Sequence, residues 1–517
     1  MQKEIEIKLA PEHIDDELYI TRQIEKKIRN KSSKPLYYKV VRKSIDARKA
    51  QPLYVLRIIV SFKDDIVTDA DAVNIDYNVN KSSNKVIIIG AGPAGYFAAL
   101  QCIELGLTPI VLDRGKDVQA RRRDLKAIQQ DGVVHPHSNY CFGEGGAGTY
   151  SDGKLYTRSK KRGKIIKVLK ILVDHGAPQD ILIDAHPHIG SNKLPKIIAN
   201  IRSTIEKHGG QVLFDHHVTD IKIGDGQCHG VVAGDNEIVG DYYILATGHS
   251  ARDIYQLLGT KKIAIEAKDF ALGLRIEHPQ ALIDEIQYGQ SPRPINLPAS
   301  SYALVSQVEG TGVFSFCMCP GGLIVPASTA PGEIVVNGMS LSRRDSPYAN
   351  SGIVTSVSVS ELTEFGYSGP YATMDFQRDV EQHLFDHGDG SQKAPAQNLV
   401  DFVNGKDMLA LNDTSYIPGL YRAPLHELLP EFIYHRLQQG LLSFALKLKG
   451  YFTDNANVVG IESRTSAPVR IPRDHSTCAH HQVSNLFPCG EGAGYAGGIL
   501  SAAMDGQRVA KAIHGLA

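Results

Sequence analysis

The chain has 517 residues, enough for two to four cores at roughly 150 residues each. Lysine plus arginine balance aspartate plus glutamate at 56 each, which excludes a chain that is globally a nucleic-acid or membrane-surface binder. Seven cysteines, an odd number without framework spacing, point away from a secreted disulfide scaffold and toward a reducing, cytoplasmic setting.

The opening residues, MQKEIEIKLAPEHIDDELY, mix charges of both signs and hold no apolar core of signal-peptide length, so export is not expected. Residues 1–63 alternate strand-like runs (EIEIKL, PLYYKVVRKSI, PLYVLRIIVSF) with a helical stretch around ITRQIEKKIRN, the pattern of a small α+β module. Between Arg22 and Lys49 stand eleven lysines and arginines against Glu25 and Asp46. That bias is either an anion-facing surface, for RNA for instance, or a solvated face neutralised by the acidic segment 64–84, which reads as a linker. From Lys85 the order is apolar strand (Val86 to Ile89), glycine turn, helix to about Gly106 and apolar strand ending at Asp113, a βαβ unit with parallel strands. The most apolar stretch, Val86 to Leu100, is interrupted by three glycines and a proline. It is also shorter than the roughly 20 residues of a membrane span, so it is a buried element and not an anchor. A helix to about Gln130, the glycine-rich FGEGGAGTYSDGKL (142–155), short strands with turns at GDG and GDN, and an apolar strand from Tyr243 to Ala246 follow. Residues 266–455 carry mixed signals, and SNLFPCGEGAGYAGGILSAAMDGQRVAKAIHGLA reads as strand, glycine loop and terminal helix.

Gly90, Gly92 and Gly95 follow a strand and open a helix, and Asp113 ends the next strand eighteen positions after Gly95. In that context GxGxxG is a dinucleotide fingerprint. Gly90 permits the tight turn, Gly92 leaves the backbone open to a pyrophosphate, and Gly95 lets helix and strand pack closely. The diphosphate then lies at the helix N-terminus, where free N–H groups favour negative charge. Asp113 is placed to accept ribose hydroxyls and disfavours a 2′-phosphate. A second GxGxxG at Gly492, Gly494 and Gly497 is followed by only about twenty residues. That is too few for another mononucleotide half, so it must complete the first.

Four separated elements resemble the flavoproteins related to glutathione reductase, and more closely the uncharacterised FAD-utilising dehydrogenases of that two-dinucleotide-fold superfamily. They are GAGPAG with its acidic strand end (90–113), GEGGAGTYSDGKL (143–155), the strand ending ATG (246–248) and PCGEGAGYAGGILSAAMDG (488–506). The resemblance implies an α/β fold: a Rossmann-like FAD-binding domain in two parts, 85–265 and 456–517, an inserted α+β substrate domain at 266–455, and the small N-terminal α+β domain. It implies FAD contacts from Gly90, Ala91, Gly92, Pro93, Ala94 and Gly95, from Asp113 and Arg114, and from the loop residues Gly145, Gly146, Ala147, Gly148, Ser151, Asp152 and Gly153. Val218 is a further FAD contact, Ala246, Thr247 and Gly248 fall on the adenine side, and Gly490, Glu491, Gly497, Gly498 and Ile499 by the ribityl chain and flavin pyrimidine. The sequence departs from the disulfide reductases in lacking a complete second NAD(P)H-binding unit and a redox CxxC after the first helix. NADH or NADPH, if used, would bind transiently in the substrate region, where a hydride would pass between flavin N5 and a small molecule. A flavin-dependent RNA modifier and a non-catalytic flavin sensor are the competing readings.

Lys154, in the loop expected beside the flavin, is a candidate cation for reduced flavin or for a substrate anion, against an ordinary surface lysine. Cys317 and Cys319 in FSFCMCPGG would share one strand face, either as a thiol pair near the flavin or as two small buried hydrophobes. His249, Arg464 and Arg470 are further pocket candidates. The two HPH triplets (135–137 and 186–188) and Cys141 do not supply clean zinc spacing, so no metal is expected.

Overall fold

The structure, a computed structural model, describes residues 2–29, 36–49, 51–78, 82–156 and 163–517. Strands β1 (Lys3–Leu9), β2 (Tyr37–Asp46) and β3 (Leu53–Ser61) form an antiparallel sheet in the order β1-β3-β2. Alternation in β1 turns Ile5, Ile7 and Leu9 inward against Ile20 and Ile24 of helix α1 (Glu17–Ile28), whose N-terminus is capped by Asp16. This small core is completed from elsewhere. Tyr288 and Leu297 pack into it, and the Tyr54 hydroxyl donates to the Asn296 carbonyl at 2.7 Å. On the other side, β2 exchanges backbone hydrogen bonds with Ile183 and Ala185 through Lys43, both 2.8 Å. The basic bias is partly neutralised in place: Lys39 meets Asp71 at 3.0 Å, Lys43 meets Asp184 at 3.2 Å and Arg48 meets Asp46 at 2.8 Å.

The second sheet is five-stranded and parallel. Its order is Leu486–Pro488, Tyr242–Leu245, β4 (Lys85–Ile89), β5 (Thr108–Leu112) and β6 (Gln211–Leu213). A strand from the last tenth of the chain therefore lies two places from the one that opens the βαβ unit. Helix α2 (Pro93–Glu104) is buried from Ala94 to Ile103, held between this sheet and the C-terminal helix Ile499–His514. Gly506 makes that packing possible, since a Cβ there would run into the Ala94 carbonyl.

The third sheet has seven strands in the order 305–308, 311–319, 348–357, 270–279, 457–462, 394–398, 420–422. One face of its central strand Phe270–Pro279 presents Phe270, Leu272, Leu274 and Ile276 to an apolar layer that includes helix Glu431–Lys447. The other face carries Arg275 and Glu277, with Asn350 and Glu462 from the neighbouring strands, all buried. Two expectations change here. Strand Asn457–Glu462 pairs into this sheet, so the returning FAD-domain segment cannot begin at 456; its strand pairing with the central sheet starts only at Leu486. The register of strand Thr311–Cys319 slips between Phe316 and Cys319, and Cys317 takes a left-handed φ of 46°. The bulge separates the two thiols, leaving Cys317 exposed and Cys319 buried rather than side by side on one face. No helix among the described residues is long and apolar enough to cross a membrane.

Candidate functional site

The turn after β4 divides its labour among three glycines. At Gly90 (φ 111°) a Cβ would strike the Ala246 carbonyl, and at Gly95 it would strike the Gly90 carbonyl. At Gly92 it would meet nothing closer than the Gly146 Cα at 3.9 Å. Two glycines thus serve the fold, and the third keeps space open in front of α2, whose glycine N-cap supplies no side-chain acceptor. Asp113 is buried and already engaged: one carboxylate oxygen accepts the Ala91 amide and the other the Gly115 amide, each at 2.8 Å. Each oxygen keeps a lone pair for a ribose hydroxyl. Arg114 reaches Asp253, which also takes His217 Nε2 at 2.8 Å, and its guanidinium lies 4.4 Å from the Phe142 ring centroid. Val218, next to His217, is buried under the strand pair it begins.

The glycine-rich loop is drawn onto this turn. The Gly145 amide donates to the Ala91 carbonyl at 2.8 Å, and Gly146 faces Gly92. Gly148 fits between Pro93 at the start of α2 and Ile499 at the start of the C-terminal helix, where a Cβ would come within 3.4 and 3.1 Å of them. Ala147 is exposed at the crest of the loop, and the Ser151 hydroxyl donates to the Gly148 carbonyl at 2.8 Å. The anchor is Arg121, a fully buried guanidinium of α3 (Val118–Gln130). It donates to the carbonyls of Asn139 and Glu144 at 2.8 Å and of Tyr140 and Gly146 at 3.0 Å. Glu144, equally buried, accepts from the Tyr96 hydroxyl at 2.9 Å and the Val118 amide at 2.8 Å, and burial raises its carboxyl above the usual range. Neither residue had a sequence signal, because Arg121 lies in the charged run RRRD and Glu144 among glycines.

The returning segment closes the same pocket. Gly490 lies against Ala94, its Cβ position 2.7 Å from the Ala94 methyl, and the backbone of Gly248 in the ATG loop abuts Gly492. Asp505 fixes this register: it accepts the Gly490 amide at 2.8 Å and forms a buried pair with Arg473 at 2.6 Å. Glu491 comes within 3.8 Å of His249 Nδ1. The C-terminal helix, like α2, starts on a glycine without a side-chain cap, and added Cβ atoms at Gly497, Gly498 and Gly248 would meet nothing within 4 Å. Two uncapped helix N-termini therefore face open space bordered by glycines, one beside the acidic strand end and one beyond Glu491. That is room for a dinucleotide: phosphates at α2, ribose at Asp113, and at the second N-terminus an acceptor edge that gains negative charge on reduction. FAD fits these residues.

The substrate-side candidates converge at the junction with the seven-stranded sheet. Lys154 pairs by backbone with His188, and its ammonium donates to the Met318 carbonyl, between the two cysteines. Asp152, expected beside the cofactor, is buried at this junction, its oxygens taken by the Ser340 hydroxyl and by Arg344 at 2.7 Å. Gly153 packs its backbone on Leu194. Behind Cys317, Arg275 pairs with Glu462 at 2.7 Å and bonds Asn350 at 2.7 Å. Burial pushes the Cys319 thiol up to about 12, although Lys154 and Arg275 pull the other way. Arg464 and Arg252 form a buried network with Glu333 and Glu381, at 2.7 to 3.1 Å, tying the ATG side to the unit of the seven-stranded sheet. Burial acts against the Glu381 carboxylate, but the two arginines hold it below the usual range. Arg470 lies outside the cluster, exposed and 5.8 Å from the Tyr495 ring centroid.

Fold and site together define an FAD-binding oxidoreductase. Residues 84–280 match the family described as pyridine nucleotide-disulphide oxidoreductase, residues 269–465 the one described as FAD-dependent protein, C-terminal domain-like, and residues 1–61 a domain of unknown function. An uncharacterized protein of Clostridium beijerinckii is 38% identical over 519 residues, covering 97% of this chain and 96% of that protein. The chain belongs to the same family, one of FAD-dependent oxidoreductases, and FAD is its cofactor. Among solved structures, the flavin-dependent brominase Bmp2 is 13% identical with a TM-score of 0.35, covering 84% of this chain and 79% of its own. A geranylgeranyl bacteriochlorophyll reductase-like protein of Thermoplasma acidophilum is 12% identical with a TM-score of 0.32, covering 83% and 77%. At these scores nothing about substrate or reaction transfers to this chain.

Proposed function

We propose that the protein is a dehydrogenase or reductase of the two-dinucleotide-fold superfamily, passing a hydride between flavin N5 and a small organic substrate. The carrying observation is the meeting of Pro93, Gly148 and Ile499, which brings two uncapped helix starts and the glycine-rich loop around Gly148 to one space. Bound FAD supplies the two-electron chemistry. The chain's own residues position and shield it: Arg121 and Asp505 set the two glycine loops, and the Arg252–Glu333–Glu381–Arg464 network holds the unit of the seven-stranded sheet against the FAD domain. The buried Cys319, pushed toward the thiol form, is a poor nucleophile at neutral pH, and the bulge keeps it from forming a side-by-side pair with the exposed Cys317. This favours hydride transfer to carbon over thiol-disulfide exchange. The ion pairs already made by Lys39, Lys43 and Arg48 count against the N-terminal module as an RNA surface.

The test is anaerobic stopped-flow reduction with NADH and with NADPH, followed by reoxidation against a panel of carbonyl, enoyl and disulfide acceptors. Reduction with acceptor-dependent reoxidation supports the reading. A flavin that neither nicotinamide nor any substrate reduces would leave a sensor.

A further inference from the structure

We propose that the free edge of β1 joins a second copy of this chain, antiparallel about a twofold axis at Glu6, so that two N-terminal sheets run on as one. The inference is independent of the hydride-transfer reading.

The three-stranded sheet has two edges, and the chain treats them differently. The outer edge of β2 is closed from within: the Lys43 amide donates to the Ile183 carbonyl and the Lys43 carbonyl accepts the Ala185 amide, both at 2.8 Å. Strand β2 is also bulged between Val40 and Arg42. β1 is neither covered nor bent. It pairs with β3 without a register shift from Lys3 to Leu9 and carries no proline, and among the described residues no backbone group of β1 bonds outside that pairing. Its far side is therefore a row of unpaired amides and carbonyls, which one further strand satisfies.

The side chains select the strand. Ile5, Ile7 and Leu9 face the core of the module, and Glu4, Glu6 and Lys8 face solvent. A one-residue slip would turn one of the two cores outward, so only registers two residues apart keep both on one side. The register centred on Glu6 uses the whole strand: Glu4 of each copy stands opposite Lys8 of the other, Ile5 opposite Ile7 and Lys3 opposite Leu9. Centring on Ile5 sets Glu4 against Glu6, and centring on Ile7 leaves only Ile5 to Leu9 paired. The one like-charged pair of the favoured register, Glu6 against Glu6, has Arg57 beside it as its neighbour on β3. Glu4 and Lys8 already lie near Arg57 at 3.2 Å and Asp46 at 3.4 Å, yet each side chain is at least half exposed and free to reach across the seam. An edge of one sign would repel its own copy. This edge carries opposite signs toward its two ends and is complementary to itself when reversed.

The experiment uses the full-length, FAD-loaded protein in sedimentation velocity from micromolar to hundreds of micromolar, with deuterium exchange followed at the β1 amides. A reversible dimer is expected, weakened by salt, with β1 exchange slowing as concentration rises. Lys8→Glu and Glu4→Lys should each weaken the dimer about tenfold, because each sets like charges opposite one another at both ends of the seam. An equimolar mixture of the two variants should dimerise again, since across a mixed pair the signs are opposite at both ends. Both positions are exposed and lie outside the FAD site, so unchanged flavin loading reports that each variant is folded. The proposal is overturned if the wild type stays monomeric throughout, which would leave the edge to a different chain. It is overturned equally if a dimer forms that neither variant weakens, that mixing does not restore, or that leaves β1 exchange independent of concentration.

Discussion

Arg121 spends its guanidinium on four backbone carbonyls and faces no carboxylate among its hydrogen-bond partners, an arrangement that makes sense only if the loop it gathers must hold one shape. Arg121→Met should cost about 3 kcal/mol or more, since four buried carbonyls lose a charged donor at once. Denaturant unfolding measures that cost, and FAD titration should show affinity falling with it. Asp505→Asn tests the opposite wall. It leaves the Arg473 cation without its carboxylate and should destabilise by about 3 kcal/mol and loosen FAD, both read in the same two assays. Gly90, Gly95 and Asp113 were legible beforehand because each answers a steric or hydrogen-bonding demand of the turn itself. Arg121 and Glu144 were not, because a buried ion solvated by backbone looks, in sequence, like any surface charge. The partners of Asp152 were illegible for a related reason: its position in the loop was readable, but Ser340 and Arg344 lie almost two hundred residues away.

Helix and strand patterns were readable where the period was unmixed. The run from Lys85 to Asp113 alternates apolar strand, glycine turn and buried helix, and the tail's glycine loop had too little chain after it to be anything but the completion of the first unit. The seven-stranded sheet was opaque because the inward face of its centre is polar. Arg275, Glu277, Asn350 and Glu462 interrupt the continuous apolar run that marks a strand buried on both faces. The bulge at Cys317 hid for the same reason, being fixed by pairing with a distant strand. The helix pair is the most constraining contact of the FAD domain, and Gly506→Val should push the C-terminal helix off α2. We expect a loss of at least about 2 kcal/mol, accompanied by flavin release, by thermal melting with simultaneous flavin fluorescence.

For the whole molecule, the N-terminal module docks on both larger units, through Lys43 on one and through Tyr54 and Asn296 on the other, so its place as a brace follows from tertiary contacts that no local pattern announces. Stability should depend on pH in a defined window. His278, fully buried, and His188 both have pKa values depressed to about 4 by burial, with Arg344 adding to the effect at His188. Because the folded values lie below the unfolded one, their contribution is present above about pH 6.5 and is lost as pH falls toward 4. For His278 it reaches up to about 3 kcal/mol. Urea midpoints between pH 7.5 and 4 should fall accordingly, and His278→Gln should flatten that fall.

The central claim is that one open space, kept clear by Gly92 in front of α2, holds the diphosphate of FAD. Gly92→Ala tests it most directly, because the added methyl meets no protein atom closer than 3.9 Å and leaves the fold intact. Flavin absorbance per mole of folded protein should drop at least tenfold in this variant while the urea midpoint of the apoprotein stays within error of the wild type. Full flavin loading in Gly92→Ala would contradict the account.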